Sequence, residues 1–464
     1  MSWFQAHLLA LAGLYVQAQA LGRYLPHRSN MQLREKNLAD YSWQKALSSP
    51  DETVIYLENG QHIQYGSIFN EAMALAASLS ALGLKAGDVI SFQLPNWRET
   101  VALDIAAVWL GLVVNPVIPI YRDHELAFIL ADSRCRCLFI PGVYRGYDFP
   151  EMIERLSPEL PDLQHVITVR DDAQREGAAN TVLRYENLIE PRNELVPAKQ
   201  PTDMSAVKVV MYTSGTTGRA KAVRHSHQSL SRAIDNGVEG WGLADGDVML
   251  MPSPVTHITG FANGIEQAFI SDCKTAFMER WDVDLAVAYI DRVSATGCVS
   301  ATPFLQELVE KAQRDSLDLP SLRFFACGGA SVPPNLITDA HKVFANCRAF
   351  RVYGCTEAPL ITVGLMRCSK SFRTTTTAVP RSAQGHLCRL PVQATGSPMS
   401  ATGRSSIPGA WAPSTIVSTP CDFAISTISR VGSTRAVGDV IWSSTSSLLR
   451  GVMARSTASI QSAG

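Results

Sequence analysis

No Cys-x-x-Cys pair occurs anywhere in the 464 residues, and of the ten cysteines only Cys135 and Cys137 lie close together. That excludes a zinc ribbon, a redox dithiol and a small disulfide-stapled scaffold. The thiols read as buried or incidental, in a reducing compartment. No Lys or Arg precedes Arg23, so the apolar stretch Trp3–Leu21 lacks the positive leader of a secretory signal. This holds although Ala18-Gln19-Ala20 has the small-x-small form of a cleavage site. Gln5, His7, Gln17 and Gln19 make the same stretch a poor bilayer span, and it is expected as an N-terminal helix packed on the body rather than a transmembrane segment. There is no internal repeat and no Gly-Lys-[Ser/Thr] phosphate loop. With 46% hydrophobic and 18% charged residues, collagen, wholesale disorder and a chain made of membrane spans are excluded as well.

Net charge is also lacking, at −1, but that figure is a cancellation. Residues 1–366 carry 31 Lys and Arg against 40 Asp and Glu, whereas residues 367–464 carry 10 against 2. The last stretch has no Glu, Asn or Tyr, and 31 of its residues are Ser or Thr. Its positive charges are scattered among only four aromatics (Phe372, Trp411, Phe423 and Trp442), which argues against a nucleic-acid surface.

From about residue 34 apolar residues alternate between helical and strand spacing. Helices are expected over Tyr65–Leu84, Glu99–Gly111, Asp123–Ala131, Asp284–Val293, Pro303–Gln313 and Pro334–Val343. Strands are expected at Val89–Phe92, Val113–Ile120, Cys137–Ile140, Val207–Met211, Asp247–Met251, Val299–Thr302, Leu322–Ala326 and Ala349–Tyr353. This βαβα rhythm implies an α/β layered fold with buried parallel strands. It pauses at the Pro-rich, polar stretch near residues 190–202 and stops after Met366. The expected organisation is therefore an N-terminal extension (1–33), a first α/β subdomain (34–200), a second with the nucleotide loop (201–366) and a basic Ser/Thr-rich tail (367–464).

Three motifs carry chemistry. Tyr212-Thr213-Ser214-Gly215-Thr216-Thr217-Gly218-Arg219-Ala220-Lys221 follows a strand. Its small residues let backbone N–H groups converge on phosphate oxygens, four hydroxyls add donors, and Lys221 adds positive charge. Cys327-Gly328-Gly329-Ala330 also follows a strand, where paired glycines permit a ligand to approach the backbone closely. Tyr353-Gly354-Cys355-Thr356-Glu357 brings an aromatic face, a hydroxyl and a carboxylate within five residues, which suits a purine, a phosphate and a Mg²⁺ ion.

In this order and spacing, from about Leu38 to Gly364, the motifs resemble the adenylate-forming (AMP-binding) superfamily. The likeness is greatest to bacterial fatty-acid and cyclohexanecarboxylate-type acyl-CoA ligases. Gln93-Leu94-Pro95-Asn96-Trp97, Asn115-Pro116 through Tyr121-Arg122, and Ser253-Pro254-Val255-Thr256-His257-Ile258-Thr259-Gly260 add to it. The resemblance implies a large αβαβα N-terminal domain. It also implies activation of a carboxylic acid by ATP to acyl-AMP, then thioester formation with CoA, in the cytoplasm. Thr213, Ser214, Gly215, Thr216, Thr217, Gly218 and Lys221 would bind the β- and γ-phosphates. Thr356 would meet the α-phosphate, Glu357 would hold Mg²⁺, and Tyr353 and Gly354 would lie at adenine. Gly328, Gly329 and Ala330 would line the adenine and acyl pocket, with His257 at the acyl site. Thr356, Glu357 and Lys221 would be the catalytic set. Ala220-Lys221-Ala222 stands where the family has Pro-Lys-Gly.

The family's Gly-Trp-x-x-Thr-Gly-Asp segment, its hinge and its C-terminal domain with the adenylation Lys do not appear after Met366; only Gly438-Asp439 falls near the expected place. A one-nucleotide shift in the codons of Arg430–Ala436 permits Gly-Trp-Phe-x-Thr-Gly. The expectation is that residues from about 367 are frameshifted or mis-spliced translation, with the C-terminal domain absent or aberrant. Two functional readings result: a ligase impaired by that loss, or a non-catalytic relative that binds nucleotide or acid. Neither the acid nor the oligomeric state is specified by the sequence.

Overall fold

The structure, a computed structural model, describes residues 33–171, 182–190, 196–213 and 220–364, with the last four by backbone alone. The apolar segment 3–21 and the basic tail lie outside the described residues, as do Ser214, Gly215, Thr216, Thr217 and Gly218 of the phosphate loop. Residues 1–35 and 36–464 are separate units, and every element below belongs to the second.

In chain order the strands are β1 (Thr53–Tyr56), β2 (His62–Gln64), β3 (Val89–Phe92), β4 (Val113–Pro116), β5 (Cys135–Pro141), β6 (Val143–Tyr144), β7 (Tyr147–Asp148), β8 (His165–Val169) and β9 (Val182–Arg184). They continue with β10 (Val207–Thr213), β11 (Lys221–Ser226), β12 (Val248–Met251), β13 (Lys274–Phe277), β14 (Gly297–Ala301), β15 (Phe324–Gly328), β16 (Arg348–Cys355) and β17 (Ala358–Gly364). An eight-stranded sheet runs β17-β16-β15-β14-β12-β13-β1-β2, and a seven-stranded sheet runs β11-β10-β4-β3-β5-β8-β9. Both are parallel inside, with antiparallel pairs only at β1/β2, β16/β17 and β10/β11.

The main helices are α1 (Leu38–Ser48), α2 (Tyr65–Ala81), α3 (Glu99–Leu110), α4 (Asp123–Asp132), α5 (Phe149–Leu156), α6 (His227–Trp241), α7 (Val283–Val293), α8 (Thr302–Asp315) and α9 (Pro334–Val343). Helix α1 starts on a capping box in which Asn37 and Asp40 satisfy each other's backbone N–H. Helix α3 is buried at all 12 positions and stops at Gly111, whose φ of 70° is the left-handed cap that glycine adopts without strain.

That burial defines the layers. One core takes Phe92, Val114, Phe139 and Met211 from the seven-stranded sheet, Ile55, Met251 and Phe277 from the eight-stranded sheet, and the inner faces of α2 and α3 between them. A second core lies beyond the eight-stranded sheet, under α7, α8 and α9, and a third beyond the seven-stranded sheet, under α4 and α5. The order is α/β/α/β/α, as expected. Strands β1 and β2 join the sheet built mostly from the second half of the chain, and β10 and β11 join the sheet built from the first half. No helix among the described residues is long and apolar enough to cross a membrane.

Candidate active site

Loops that leave the carboxyl ends of parallel strands are where ligands bind in open α/β sheets, and the motifs sit there. The phosphate-loop motif spans a hairpin, with β10 and β11 paired antiparallel and Thr213 opposite Lys221. Thr213 and Lys221 are thus the facing ends of one strand pair, and Lys221 opens β11 with an exposed side chain. Tyr212 anchors the hairpin by donating its hydroxyl to Asp132 Oδ2 at 2.7 Å. Burial, then this carboxylate, push the Tyr212 phenol well above its ordinary pKa. Strand β11 and helix α6 did not emerge from the sequence, although half-burial at Val223 and burial at His225 against exposure at Ala222 and Arg224 follow a period of two.

Strand β16 is longer than its apolar pattern indicates. Gly354 and Cys355 belong to it as well as Tyr353, and Thr356-Glu357 form the tight turn into β17. Tyr353 is 53% exposed, and Glu357 is exposed as well. The Thr356 carbonyl lies 2.6 Å from Nε2 of the buried His225. A carbonyl only accepts, so Nε2 carries the proton. Nδ1, 3.3 Å from Ser229 Oγ, is then the acceptor of a neutral ring. Burial keeps His225 below its ordinary pKa, against the opposing pull of the Thr356 carbonyl and Glu357.

Gly328 ends β15, where an added Cβ would sit 2.5 Å from the Val352 carbonyl. Its bareness serves the β15–β16 approach. Gly329 has a φ of 71° and open space around it, and Ala330 is half-buried.

His257 is the N-cap of the turn Ile258–Gly260, with Nδ1 accepting from the Thr259 N–H at 3.3 Å. Its loop is held by a residue the sequence flagged only as part of a resemblance. The Asn96 Nδ2 group lies 2.9–3.2 Å from the carbonyls of Met251, Ser253 and Met278, while its Oδ1 accepts from Val255 N–H at 2.8 Å. Gln93 similarly donates to the carbonyls of Ile118 and Tyr121. These two amides are scaffold, fixing the loops after β12 and β4. Between those loops lies a small cavity of about 20 Å³ lined by Ile118, Tyr121, Met211, Thr256, His257 and Thr356, among others. The Thr256 hydroxyl is buried and has no hydrogen-bond partner among the described residues. Thr356 and His257 therefore share one cavity. Lys221, Gly328, Gly329, Ala330, Tyr353 and Glu357 are not part of its wall. Among the described residues no three His, Cys, Asp or Glu side chains converge as a metal site.

The sequence pattern of one family, described as AMP-binding enzyme, matches residues 42–388. The chain belongs to that family. The match continues past Gly364 into the basic stretch. Among relatives, the chain is 28% identical over 324 residues to a medium-chain fatty-acid–CoA ligase of Escherichia coli K12, covering 70% of this chain and 56% of that protein. It is 30% identical over 312 residues to a 4-coumarate–CoA ligase-like protein of Oryza sativa subsp. japonica, covering 64% of this chain and 54% of that one. The chain thus spans about half the length of these relatives. The AMP-binding fold is likewise that of an anthranilate CoA ligase solved with anthranoyl-AMP (TM-score 0.65, 19% identity, 74% of this chain and 64% of that one). It is also that of the N-terminal domain of FACL13 from Mycobacterium tuberculosis (TM-score 0.62, 22% identity, 71% and 79%).

Proposed function

We propose that this AMP-binding chain is the core of an AMP-forming acid–CoA ligase. The carrying observation is the His225–Thr356 hydrogen bond of 2.6 Å, which ties the hairpin bracketing the phosphate loop to the Thr356-Glu357 turn. In this reading the two motifs, more than a hundred residues apart in sequence, form one site.

In this reading an oxygen of the acid attacks the α-phosphorus of ATP. The bond from that phosphorus to the bridging oxygen breaks, and pyrophosphate leaves. The CoA sulfur then attacks the acyl carbon, the acyl–oxygen bond to AMP breaks, and the thiol proton passes to solvent. Such chemistry depends on positioning and on neutralising charge. Thr213, Ser214, Gly215, Thr216, Thr217, Gly218 and Lys221 would grip the outer phosphates, and Thr356 the α-phosphate. Tyr353, with Gly354, Gly328, Gly329 and Ala330, would flank adenine. The acid would be placed beside His257, where the small cavity would have to widen to admit it.

Glu357, a lone exposed carboxylate, fits a Mg²⁺ ion held chiefly by phosphate oxygens and water rather than by a protein cage. That ion would supply charge neutralisation on the phosphates.

We further propose that the chain as written completes the reaction poorly. The family's adenylation Lys and ribose-binding Asp have no counterpart in its last hundred residues, and closure of a second domain is how such sites are assembled. The test is ATP binding by calorimetry, together with pyrophosphate release over a panel of carboxylic acids with Mg²⁺ and CoA. Saturable ATP binding with feeble turnover is expected. Absence of ATP binding refutes the ligase-core reading, and turnover in the ordinary enzyme range of roughly 1–10³ s⁻¹ refutes the impairment.

A further inference from the structure

Three charged side chains meet in the driest part of the molecule. Lys208 of β10 is 1% exposed, Asp104 of α3 is 0% and Glu266 is 4%. The Lys208 Nζ lies 3.1 and 3.3 Å from the two Asp104 oxygens, contacts the Glu266 carboxyl, and sits 5.6 Å from the Phe261 ring centroid. Glu266 closes the π-helical turn Phe261–Glu266, inside the helical segment that follows His257. The widened turn is stabilised from the sheet by Thr275, whose hydroxyl donates to the Gly264 carbonyl at 2.9 Å. π-turns inside helices are frequent at functional sites.

The three residues come from three elements: the strand that runs into Thr213, the central helix, and the segment that begins at His257. A purely apolar core would hold these elements together at less desolvation cost. What a charged cluster adds is a fixed register with one correct set of partners.

We propose that Lys208, Asp104 and Glu266 act as a positioning clamp for the candidate site, fixing the phosphate-loop strand against the segment that follows His257. Its effect on ligands rests on the nucleotide-and-acid reading above; the clamp itself does not.

The cluster has two carboxyls and one ammonium, so in an apolar interior it balances only when one carboxyl keeps its proton. Glu266 is that group. Burial is the largest influence on it and pushes its pKa up to about 8, although Lys208 pulls the other way; Asp104 pushes with the burial. Burial weakens the ammonium, but Asp104 and Glu266 more than compensate and hold Lys208 above its ordinary pKa. The next titratable group is His227 on α6, kept neutral by burial and by Lys208, with Asp203, Asp40 and Lys199 around it.

Any opening that returns Glu266 to water restores an ordinary carboxyl, so opening becomes easier as pH rises toward 8 and changes little above it. Hydrogen–deuterium exchange on the full-length chain, corrected for the intrinsic pH dependence of exchange, reads this directly. Protection in peptides covering 207–213 and 258–270 is expected to fall together by about fiftyfold from pH 6 to 8 and then to level off. Glu266→Gln keeps the shape without the ionisable proton, and its protection should be flat with pH. Loosening of only one segment, or an equal fall in E266Q, overturns the proposal. If E266Q does not fold, the wild-type profile decides alone, because a fall without levelling near pH 8 is equally fatal. ATP titrations at pH 6 and 8 follow the consequence for ligands. A wild-type affinity that drops while that of E266Q holds links clamp to site. ATP binding in neither protein fails the ligase reading and leaves the exchange result standing.

Discussion

The Tyr212 hydroxyl donates to Asp132 Oδ2 across 2.7 Å, so the first residue of the phosphate-loop motif is a tether rather than a ligand. The Tyr212 ring meets Phe128 edge-on at 6.3 Å, and both contacts come from α4. Tyr212→Phe keeps the ring contact and loses the tether. A stability loss of about 0.5–1.5 kcal/mol in chemical denaturation is expected, with weaker ATP binding in calorimetry. An unchanged ATP affinity would mean that the hairpin holds its place without Asp132.

Asn96 is a second hidden support. It lies against four backbone groups from a buried position, and its two amide hydrogens serve at most two of the three carbonyls at once, so Asn96→Ala strands the Val255 N–H and up to two carbonyls. Urea denaturation should show a loss above about 2 kcal/mol. A loss comparable to an exposed substitution would show that water replaces the amide.

His225→Leu removes the link between the hairpin and Thr356 but retains bulk at a buried site. ATP affinity should fall about tenfold, or ~1.4 kcal/mol, more than AMP affinity falls. Equal losses for ATP and AMP would confine the effect to the α-phosphate and base that both nucleotides share.

Lys221→Ala tests the phosphate grip itself. The exposed ammonium stands opposite Thr213 at the base of the loop. ATP binding is expected to weaken by an order of magnitude, with AMP nearly unaffected; parallel weakening of both would contradict its assignment to the outer phosphates.

Stability against pH should carry two opposed signatures. His227, pushed down to about 3 chiefly by burial, is neutral in the folded chain. It adds stability that is present above about pH 6.5 and is lost as pH falls toward 3. Glu266, pushed up to about 8, does the reverse: its contribution is full below its ordinary value of 4.5 and is lost as pH rises to 8. Between about pH 4.5 and 6.5 the two slopes oppose each other, and from 6.5 to 8 only the decline remains. Thermal melts should thus show a plateau followed by a fall. His227→Gln should turn the plateau into a decline, and E266Q should remove the fall. A wild-type melt that rises from pH 6.5 to 8 would contradict this account.

Much of this was legible in the residues. Strands of continuous apolar character, such as β3 and β15, announce burial on both faces. Helix α2 shows itself through Ile68, Ala72, Leu75 and Leu79 at helical spacing. The motif loops fell after the strands because small and hydroxyl residues interrupt apolar runs there. What stayed hidden depends on partners remote in sequence. Strands β17 and β11 are both edge strands, and β11 has mixed exposure, so its pattern is weak. His225 gains its meaning only from Thr356, 131 residues away. Lys208 breaks an apolar strand and reads as an exposed lysine until Asp104 is seen against it. The cavity beside His257 is assembled from five separate stretches, none of which looks like a pocket alone.

The exchange of strands between the two sheets has a consequence for how the chain is handled, by a protease or at the bench. A cut near residue 200 would leave the front piece without β10 and β11 at the edge of its sheet. The rear piece would lack β1 and β2 at the far edge of its own. Each fragment would expose a strand whose neighbour travelled with the other half, so the two should be insoluble apart and regain order only when produced together.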